Sequence, residues 1–396
     1  MIFWAIGLVS FGYSSLKIEQ HLAPRDLLPV WTAVRALLDH HSPYEVRLFV
    51  YPPSLLLLAI PLGLMSFAKA RLAFFLLDVA AILLAGALCL RLFNLDWRSR
   101  AGGVMLLVLA MYLPVRDTLT VDNVNGLILA GEAGMLLAAS RRRWALAGIL
   151  LGCTLAVKPV LLPLVLLPLL YRQWRAIACA VALPVALSLI ALPFIVDGGR
   201  FLSRTVPFLL NGNAAEYRMY NVSLSGSVAM LGLPVVVALA LRLTALASIG
   251  LLLWRRWTTR SDEPLRLVEL ASLLLLAAFL AFSFSWGYYA IYLLPLLVPL
   301  LYRVNRWPPP AYIWIAWLGL YAVGGPDVWL WARHGAHGLT LAMLRITFGL
   351  LLFVAAIGLH LYGRERTGET SRPCARASKR RNDGYVGAGG AASPAP

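Results

Sequence analysis

Long apolar runs separated by short polar stretches dominate this chain and predict an all-α membrane protein. The apolar segments fall near residues 1–16, 52–66, 72–90, 101–115, 124–140, 144–157, 159–171, 176–195, 229–254, 265–283, 287–302, 309–324 and 340–361. A straight helix needs about 20 apolar residues to cross a bilayer, so several of these runs are marginal in length. We expect about 12 transmembrane helices in one polytopic domain over residues 1–362.

Basic clusters between the apolar segments predict how the chain is oriented. The clusters are Arg91, Arg98 and Arg100; Arg141 to Arg143; Arg172 and Arg175; Arg255, Arg256 and Arg260; Arg303 and Arg306; and the tail from Arg364. Positive charge marks cytoplasmic loops, and from residue 91 onward each adjacent pair of clusters encloses two apolar segments. The proline-bounded segment 52–66 breaks this alternation. We therefore predict that it dips into the membrane and returns, or lies at the interface.

Composition supports the membrane interpretation and limits the other classes. The chain is 60% hydrophobic and only 13% charged, with mean hydropathy +0.77, whereas a soluble domain has about 25% charged residues. The formal charge of +17 lies mostly between apolar segments, so we expect no nucleic-acid partner. Residues 363–396 are rich in Gly, Ala, Ser, Pro and Arg, which predicts a disordered basic cytoplasmic tail.

The predicted outer loops hold most of the polar residues that are not basic. These loops are 17–50, 116–125, Lys158-Pro159, 197–228, 283–289 and 325–338. The cytoplasmic loops are short and basic. We therefore expect a multi-pass protein of the plasma membrane whose chemistry takes place on the outer, periplasmic face.

Asp26 is the candidate catalytic base. It lies just beyond the first apolar segment, and Pro24 and Pro29 restrict the backbone around it. Glycosyl transfer to a hydroxyl needs a group that takes the proton as the anomeric carbon is attacked. An acidic residue in a loop is more often a solvated charge, and that alternative stays open.

Lys158-Pro159 is the second candidate site. It separates apolar segments of 14 and 13 residues, each about 20 Å long as a helix and therefore too short to cross a core of roughly 30 Å. An ionisable residue at such a break is a functional hypothesis, and an ammonium group binds phosphate as a point charge. The alternative is a lysine that extends its side chain to the interface.

Glu132 lies inside an apolar segment and follows the polar stretch Asn123-Val124-Asn125-Gly126. A buried carboxyl is costly unless it is paired or hydrated. We expect Asn123 and Asn125 to contact substrate and Glu132 to face the same cavity, one to two turns deeper. A structural polar bridge between helices is the alternative for Glu132.

Two further pairs of residues are candidates for substrate binding. Arg116 and Arg204 lie in predicted outer loops and are suited to holding a phosphate, although such arginines often face water. Tyr288 and Tyr289 are suited to stacking on a sugar ring. Aromatic residues at the end of a span belong more often to the interfacial belt.

At these residues the sequence resembles the polyprenol-phosphate-dependent glycosyltransferases with the multi-span C-type fold. More narrowly, it is similar to the actinobacterial α-(1→3)-arabinofuranosyltransferases. The motifs that carry the resemblance are Tyr51-Pro52-Pro53, Arg91 to Asn94, Asn123 to Gly126, Lys158-Pro159, Leu169 to Ala176, Arg204 to Pro207 and Gly287-Tyr288-Tyr289. Single motifs of this kind are weak, but their ordered series is fairly specific.

The resemblance implies a function and a mechanism. It implies a base aspartate at the position of Asp26, a decaprenyl-phosphate arabinofuranose donor, and an arabinan acceptor such as arabinogalactan or lipoarabinomannan. It further implies inversion in one displacement, α-(1→3) branching, and no metal or other cofactor. Relatives have paired acids where this chain has Arg25-Asp26, which affects acceptor recognition more than the chemistry.

Two alternatives remain open from the sequence. A polyprenol-phosphate-mannose-dependent mannosyltransferase of the same broad family would keep the fold and change the donor sugar. A lipid-linked sugar transporter would be expected to have repeated halves and paired broken segments. The sequence has one such break, at Lys158, and no repeat of spans.

Overall fold

The part of the chain that the computed structural model describes is helical, apart from one isolated antiparallel bridge between Asn221 and Trp286. The described residues are 2–20, 26–212, 217–259, 263–301, 315, 318–319, 322–323 and 335–366. Arg25, most of the apolar segment 309–324, most of loop 325–338 and residues 367–396 of the tail lie outside them.

Short 3₁₀ and π turns lie between some of the α-helices, several of them at prolines such as Pro159 and Pro193. The α-helices are α1 (Ile2–Gln20), α2 (Leu27–Leu38), α3 (Pro53–Gly63), α4 (Phe67–Leu92), α5 (Arg100–Met111), α6 (Leu113–Thr120), α7 (Asn125–Ser140), α8 (Trp144–Val157), α9 (Leu166–Leu170), α10 (Trp174–Ala191), α11 (Leu224–Met230), α12 (Val235–Thr258), α13 (Glu263–Ala281), α14 (Leu294–Leu301) and α15 (Gly335–Arg366). The 3₁₀ turns are Pro43–Glu45, Pro159–Val165, Leu192–Phe194, Arg218–Tyr220 and Gly287–Leu293, and the π turns are Phe201–Thr205 and Phe208–Gly212.

Among the described residues, five helices are long and apolar enough to cross a membrane: α4, α10, α12, α13 and α15. A sixth span results if α5 and α6, which meet at a bend of 59°, are counted together. The protein is therefore a helical membrane protein, but the expected count of about 12 spans is not confirmed. One reason is that proline divides apolar segments, as Pro163 does where the chain runs as a 3₁₀ turn from Pro159 to Val165.

Helix α3 covers the segment predicted to dip into the membrane. It has 11 residues, or about 16 Å of helix, roughly half of the hydrocarbon thickness. It packs against α2 and α10. This length suits a re-entrant or interfacial position, which stays a prediction.

Helix α13 is the central helix of the C-terminal half. Nearly all of its side chains are buried, and it contacts α7, α12, α14 and α15. By contrast, α10 and α12 expose most of their apolar side chains, as helices that face lipid do. Because α13 lies at the centre, the neighbouring helices all pack against it.

A fully buried ionic cluster joins three of these helices. Arg256 on α12 and Glu269 on α13 have no exposed side-chain surface, and their side chains form an ion pair. The second carboxylate oxygen of Glu269 lies 2.5 Å from Nδ1 of His360 on α15. We call these three residues the sealed triad.

Candidate functional site

A cavity of about 950 Å³ lies beside α13 and is lined by both polar and apolar side chains. Its polar side chains include Asp26, Asn123, Lys158, Tyr288 and Tyr289. Its aliphatic wall is formed by residues of the 159–170 segment and of α12, α13 and α15: Leu162, Leu166, Leu246, Leu274, Leu339, Met343 and Ile346. The cavity therefore suits an amphiphilic ligand.

Asp26 is the residue that precedes α2, and both its backbone and its side chain are held. Its N–H donates to the carbonyl of Val121 at 3.1 Å, which ties the start of α2 to the turn between α6 and α7. Its Oδ2 accepts a hydrogen bond from Nδ2 of Asn123 at 2.5 Å. Asp26 is partly buried and lines the cavity, so its carboxylate is not an ordinary solvated charge.

The turn that presents Asn123 depends on an unusual backbone conformation at Asp122. Its φ is +54°, in the left-handed region that residues with a side chain rarely adopt. Aspartate tolerates that region better than most residues do. Asp122 is buried, with an oxygen 3.6 Å from Nε of Arg71. Burial raises the pKa of Asp122 to about 6, and the Arg71 guanidinium opposes the rise.

The side-chain amide of Asn123 connects the candidate base to the candidate cation. Its Nδ2 donates to Asp26, and its Oδ1 lies 3.4 Å from Nζ of Lys158. The same Oδ1 accepts the N–H of Asn125 at 3.1 Å, which fixes the orientation of the amide. Asp26 therefore contacts the nitrogen and Lys158 the oxygen of the same carboxamide.

Lys158 lies where α8 stops. Pro159 disfavours helical backbone at the preceding residue, and Lys158 is extended, with φ −157° and ψ 123°. Its Nζ contacts Oδ1 of Asn125 at 3.2 Å and lies 4.9 Å from the ring centroid of Tyr289. Burial lowers the pKa of Lys158 to about 8, and the charge of Asp26 opposes the shift.

Several residues in the cavity lining or next to it were not found by reasoning from the sequence. Tyr292 is fully buried and donates to Oδ1 of Asn125 at 2.8 Å. Its spacing of three residues from Tyr289 was the available signal, since residues at that spacing share a helical face. Tyr51 and Arg242 line the cavity itself. Nothing in the apolar run around Arg242 distinguished it from an arginine that extends to an interface.

Three predicted site residues lie apart from this group. Glu132 is buried in α7, two turns beyond Asn125, and Arg204 is exposed. Arg116 is partly buried in α6. None of the three is among the described residues that line the cavity, so their roles in substrate binding remain predictions.

The described residues contain no group of three or more His, Cys, Asp or Glu side chains placed to hold a metal ion. What the cavity does offer is the held carboxylate of Asp26, the ammonium group of Lys158, several tyrosine rings and a long aliphatic wall. An all-helical membrane protein with such a cavity belongs to the class that handles amphiphilic, lipid-linked ligands.

Comparison with known families gives the class a name. Residues 49–285 match the profile of glycosyltransferase family 87, which is more than half of the chain. The chain belongs to this family and is a membrane-embedded glycosyltransferase.

Individual proteins resemble the chain over most of its length. An α-(1→3)-arabinofuranosyltransferase of Mycobacterium tuberculosis is 34% identical over 354 residues, which cover 86% of this chain and 79% of that protein. A polyprenol-phosphate-mannose-dependent α-(1-2)-phosphatidylinositol pentamannoside mannosyltransferase of the same species is 29% identical over 71% of this chain and 64% of its own length. Among solved structures, ArnT from Cupriavidus metallidurans bound to undecaprenyl phosphate covers 93% of this chain and 78% of its own, with 16% identity and a TM-score of 0.41.

Proposed function

We propose that this protein transfers arabinofuranose from decaprenyl-phosphate arabinofuranose to an arabinan acceptor of the cell envelope, with Asp26 as the base. The observation that carries the proposal is the bridge through Asn123, which holds a carboxylate and an ammonium group side by side in one cavity. The 34% identity to an arabinofuranosyltransferase supports the choice of sugar.

The reaction needs one base and one leaving-group site. An acceptor hydroxyl oxygen attacks the anomeric carbon and forms the new C–O bond, while the bond from that carbon to the phosphate oxygen breaks. The acceptor proton passes to the carboxylate of Asp26, and decaprenyl phosphate leaves. A single displacement converts a β-linked donor into an α-linked product.

Lys158 is the proposed ligand of the donor phosphate. It lies beside Asp26 on the same carboxamide, and Tyr288 and Tyr289 flank its ammonium group. A cation there stabilises the negative charge that develops on the departing phosphate. The aliphatic wall of the cavity, which includes Leu162 and Leu274, suits the polyprenyl chain of the donor.

The proposed site belongs on the outer face of the plasma membrane. Helix α7 begins at Asn125 beside the cavity and is followed by Arg141, and α8 begins after Arg143 and ends just before Lys158. In both helices, the basic residues therefore lie at the end opposite the cavity. Because basic loops stay in the cytoplasm, the cavity end is assigned to the outside.

The donor sugar has one realistic rival. The 29% identity to a polyprenol-phosphate-mannose-dependent enzyme supports a mannosyl donor as a second candidate. The same base and cation would serve either sugar, so the two proposals differ in specificity rather than in mechanism.

A direct transfer assay separates the candidates. Purified protein in lipid vesicles receives radiolabelled decaprenyl-phosphate arabinose or decaprenyl-phosphate mannose, together with a short arabinan acceptor. We expect label in the arabinan from the arabinose donor, and linkage analysis of the product is expected to give an α-(1→3) bond.

Two results would overturn parts of the proposal. Transfer of mannose in place of arabinose would replace the donor and keep the mechanism. Movement of intact labelled lipid across the vesicle membrane, without transfer from either donor, would favour a transporter.

A further inference from the structure

We propose that an aromatic cluster beside the catalytic residues is the binding subsite for the furanose rings of the acceptor glycan. The cluster consists of Tyr217, Tyr220, Phe284 and Trp286, all of which line the cavity. The inference rests on the proposed glycosyl transfer and adds where the acceptor lies.

Trp286 is the centre of this cluster. Its ring centroid lies 5.3 Å from that of Tyr217 and 6.0 Å from that of Tyr220. Phe284 meets it edge to face at 4.9 Å. All four rings are partly exposed to the cavity, so their faces and edges remain open to a ligand.

The cluster is continuous with the proposed catalytic residues. Trp286 stacks on Tyr288 with an interplanar angle of 8° and a centroid distance of 5.5 Å. The ring of Tyr288 in turn lies 5.6 Å from Nζ of Lys158. A glycan whose terminal hydroxyl reaches Asp26 therefore has a row of rings along which its next sugars can lie.

Asn221 holds the two chain segments of the cluster together. Its Nδ2 donates to the carbonyl of Ser283 at 2.8 Å, and its Oδ1 accepts the N–H of Ser285 and of Ser223, both at 3.0 Å. Val222 adds a backbone hydrogen bond to the carbonyl of Ser285 at 2.9 Å. Because Asn221 is buried, the rings on both segments keep a fixed arrangement, as a preformed site requires.

The chemistry of the cluster fits a carbohydrate better than a polyprenyl tail. Aromatic ring faces carry partial negative charge and attract the polarised C–H groups of a sugar, while Tyr hydroxyls add hydrogen-bonding groups. The aliphatic wall that suits a tail is formed by other residues, on α12, α13 and α15. The cluster instead lies outside the long helices, after Ala281 ends α13, where a water-soluble glycan has access.

The position also favours the acceptor over the donor sugar. The donor sugar is attached to the phosphate and must lie between Lys158 and Asp26. The donor carries only this one sugar, whereas the acceptor hydroxyl that attacks the anomeric carbon belongs to a chain of several sugars. The rings beyond Tyr288 then contact the acceptor sugars that follow the reacting one.

Binding of a short arabinan to the purified protein tests the subsite without turnover. Isothermal titration would compare a tetra-arabinofuranoside with a monosaccharide on wild type, Tyr217→Ala and Tyr220→Ala. Aromatic contacts of this kind predict a Kd roughly three- to tenfold higher in each alanine variant. Tyr217→Phe and Tyr220→Phe keep the rings and should bind nearly as wild type, while Phe194→Ala removes an exposed ring outside the cavity and serves as the matched control.

Transfer kinetics then separate this inference from the proposed function. The alanine variants should raise KM for the tetra-arabinofuranoside and leave KM for the donor unchanged. Equal Kd values for wild type and both alanine variants, or an equal loss in Phe194→Ala, would overturn the subsite while leaving arabinose transfer intact. Failure of wild type to transfer arabinose would overturn the function, whereas the titration would still decide the subsite.

Discussion

Two of the charged clusters among the described residues differ in their access to a ligand. Asp26 and Lys158 are partly buried, share the amide of Asn123 and line a cavity of about 950 Å³. The sealed triad is closed: Arg256 and Glu269 have no exposed side-chain surface and His360 has 2%.

The difference shows why burial of charge alone does not identify a reactive site. Arg256 and Glu269 are more deeply buried than Asp26, yet no ligand reaches them without moving three helices. Their ion pair joins α12 to α13, the contact of Glu269 with His360 adds α15, and the cluster can act only on the fold. The cavity leaves room beside Asp26 and Lys158, so these two charges can interact with a substrate. Substitution in each cluster should therefore affect different measurements.

Replacing the proposed base should have the largest effect on activity. Asp26→Asn keeps the side-chain shape and removes the proton acceptor, so kcat should fall by about 10²–10⁴-fold. Radiolabel transfer measures the loss, and thermal unfolding should remain near wild type. Asp39→Asn, at the exposed far end of α2, is the matched control and should retain activity.

Replacing the central acid of the sealed triad should affect stability instead. Glu269→Gln leaves Arg256 buried without its carboxylate, which typically lowers the free energy of unfolding by about 3–5 kcal/mol. Thermal unfolding in detergent measures this loss, and activity per folded molecule should be preserved. Glu263→Gln changes a partly exposed acid on the same helix and should cost less than about 1 kcal/mol. A fall in kcat without loss of stability would contradict the distinction.

Removing the proposed phosphate ligand should have an intermediate effect. Lys158→Ala loses a charge-assisted contact of about 1.5–3 kcal/mol, so KM for the donor should rise roughly 10- to 100-fold. Titration of the donor in the transfer assay gives this value. Lys69→Ala, an exposed lysine at the start of α4, should leave KM unchanged. An equal KM in both variants would move the phosphate site elsewhere.

The pH dependence should give the smallest effect. Burial lowers the pKa of Lys158 to about 8, so its ammonium group loses the proton as pH rises through that value. The neutral amine no longer attracts phosphate, and KM for the donor should increase by up to about tenfold per pH unit above 8. Lys158→Arg keeps its charge over this range and should lack the increase. A flat wild-type profile up to pH 9.5 would contradict the role of this charge.

The sequence predicted the class of fold and the centre of the site better than the number of spans. Apolar runs predicted a helical membrane protein, which is confirmed, and a helix break at Lys158, which the extended backbone there matches. The span count is not confirmed because proline turns a continuous apolar run into 3₁₀ and short helical pieces. Hydropathy averaged along a run does not register that change.

The sequence pattern did not predict contacts between distant segments of the chain. Asn123 was predicted as a substrate contact. Its contacts with Asp26 and Lys158 were not predicted, because these residues lie 97 and 35 positions away from it in the chain. Tyr292 and Asn221 are similar cases, since their importance comes from partners on other elements. Glu132, buried in α7 away from the cavity wall, shows that an acid within an apolar run does not reveal which side it faces.

A structure with a donor analogue bound tests the central claim most directly. The ligand would be a phosphonate analogue of decaprenyl-phosphate arabinofuranose, which cannot transfer its sugar. We predict a phosphonate oxygen about 3 Å from Nζ of Lys158, the anomeric carbon facing Asp26, and the lipid chain along the aliphatic wall of the cavity. A phosphonate bound away from Lys158, with Asp26 out of reach of the anomeric carbon, would contradict the account.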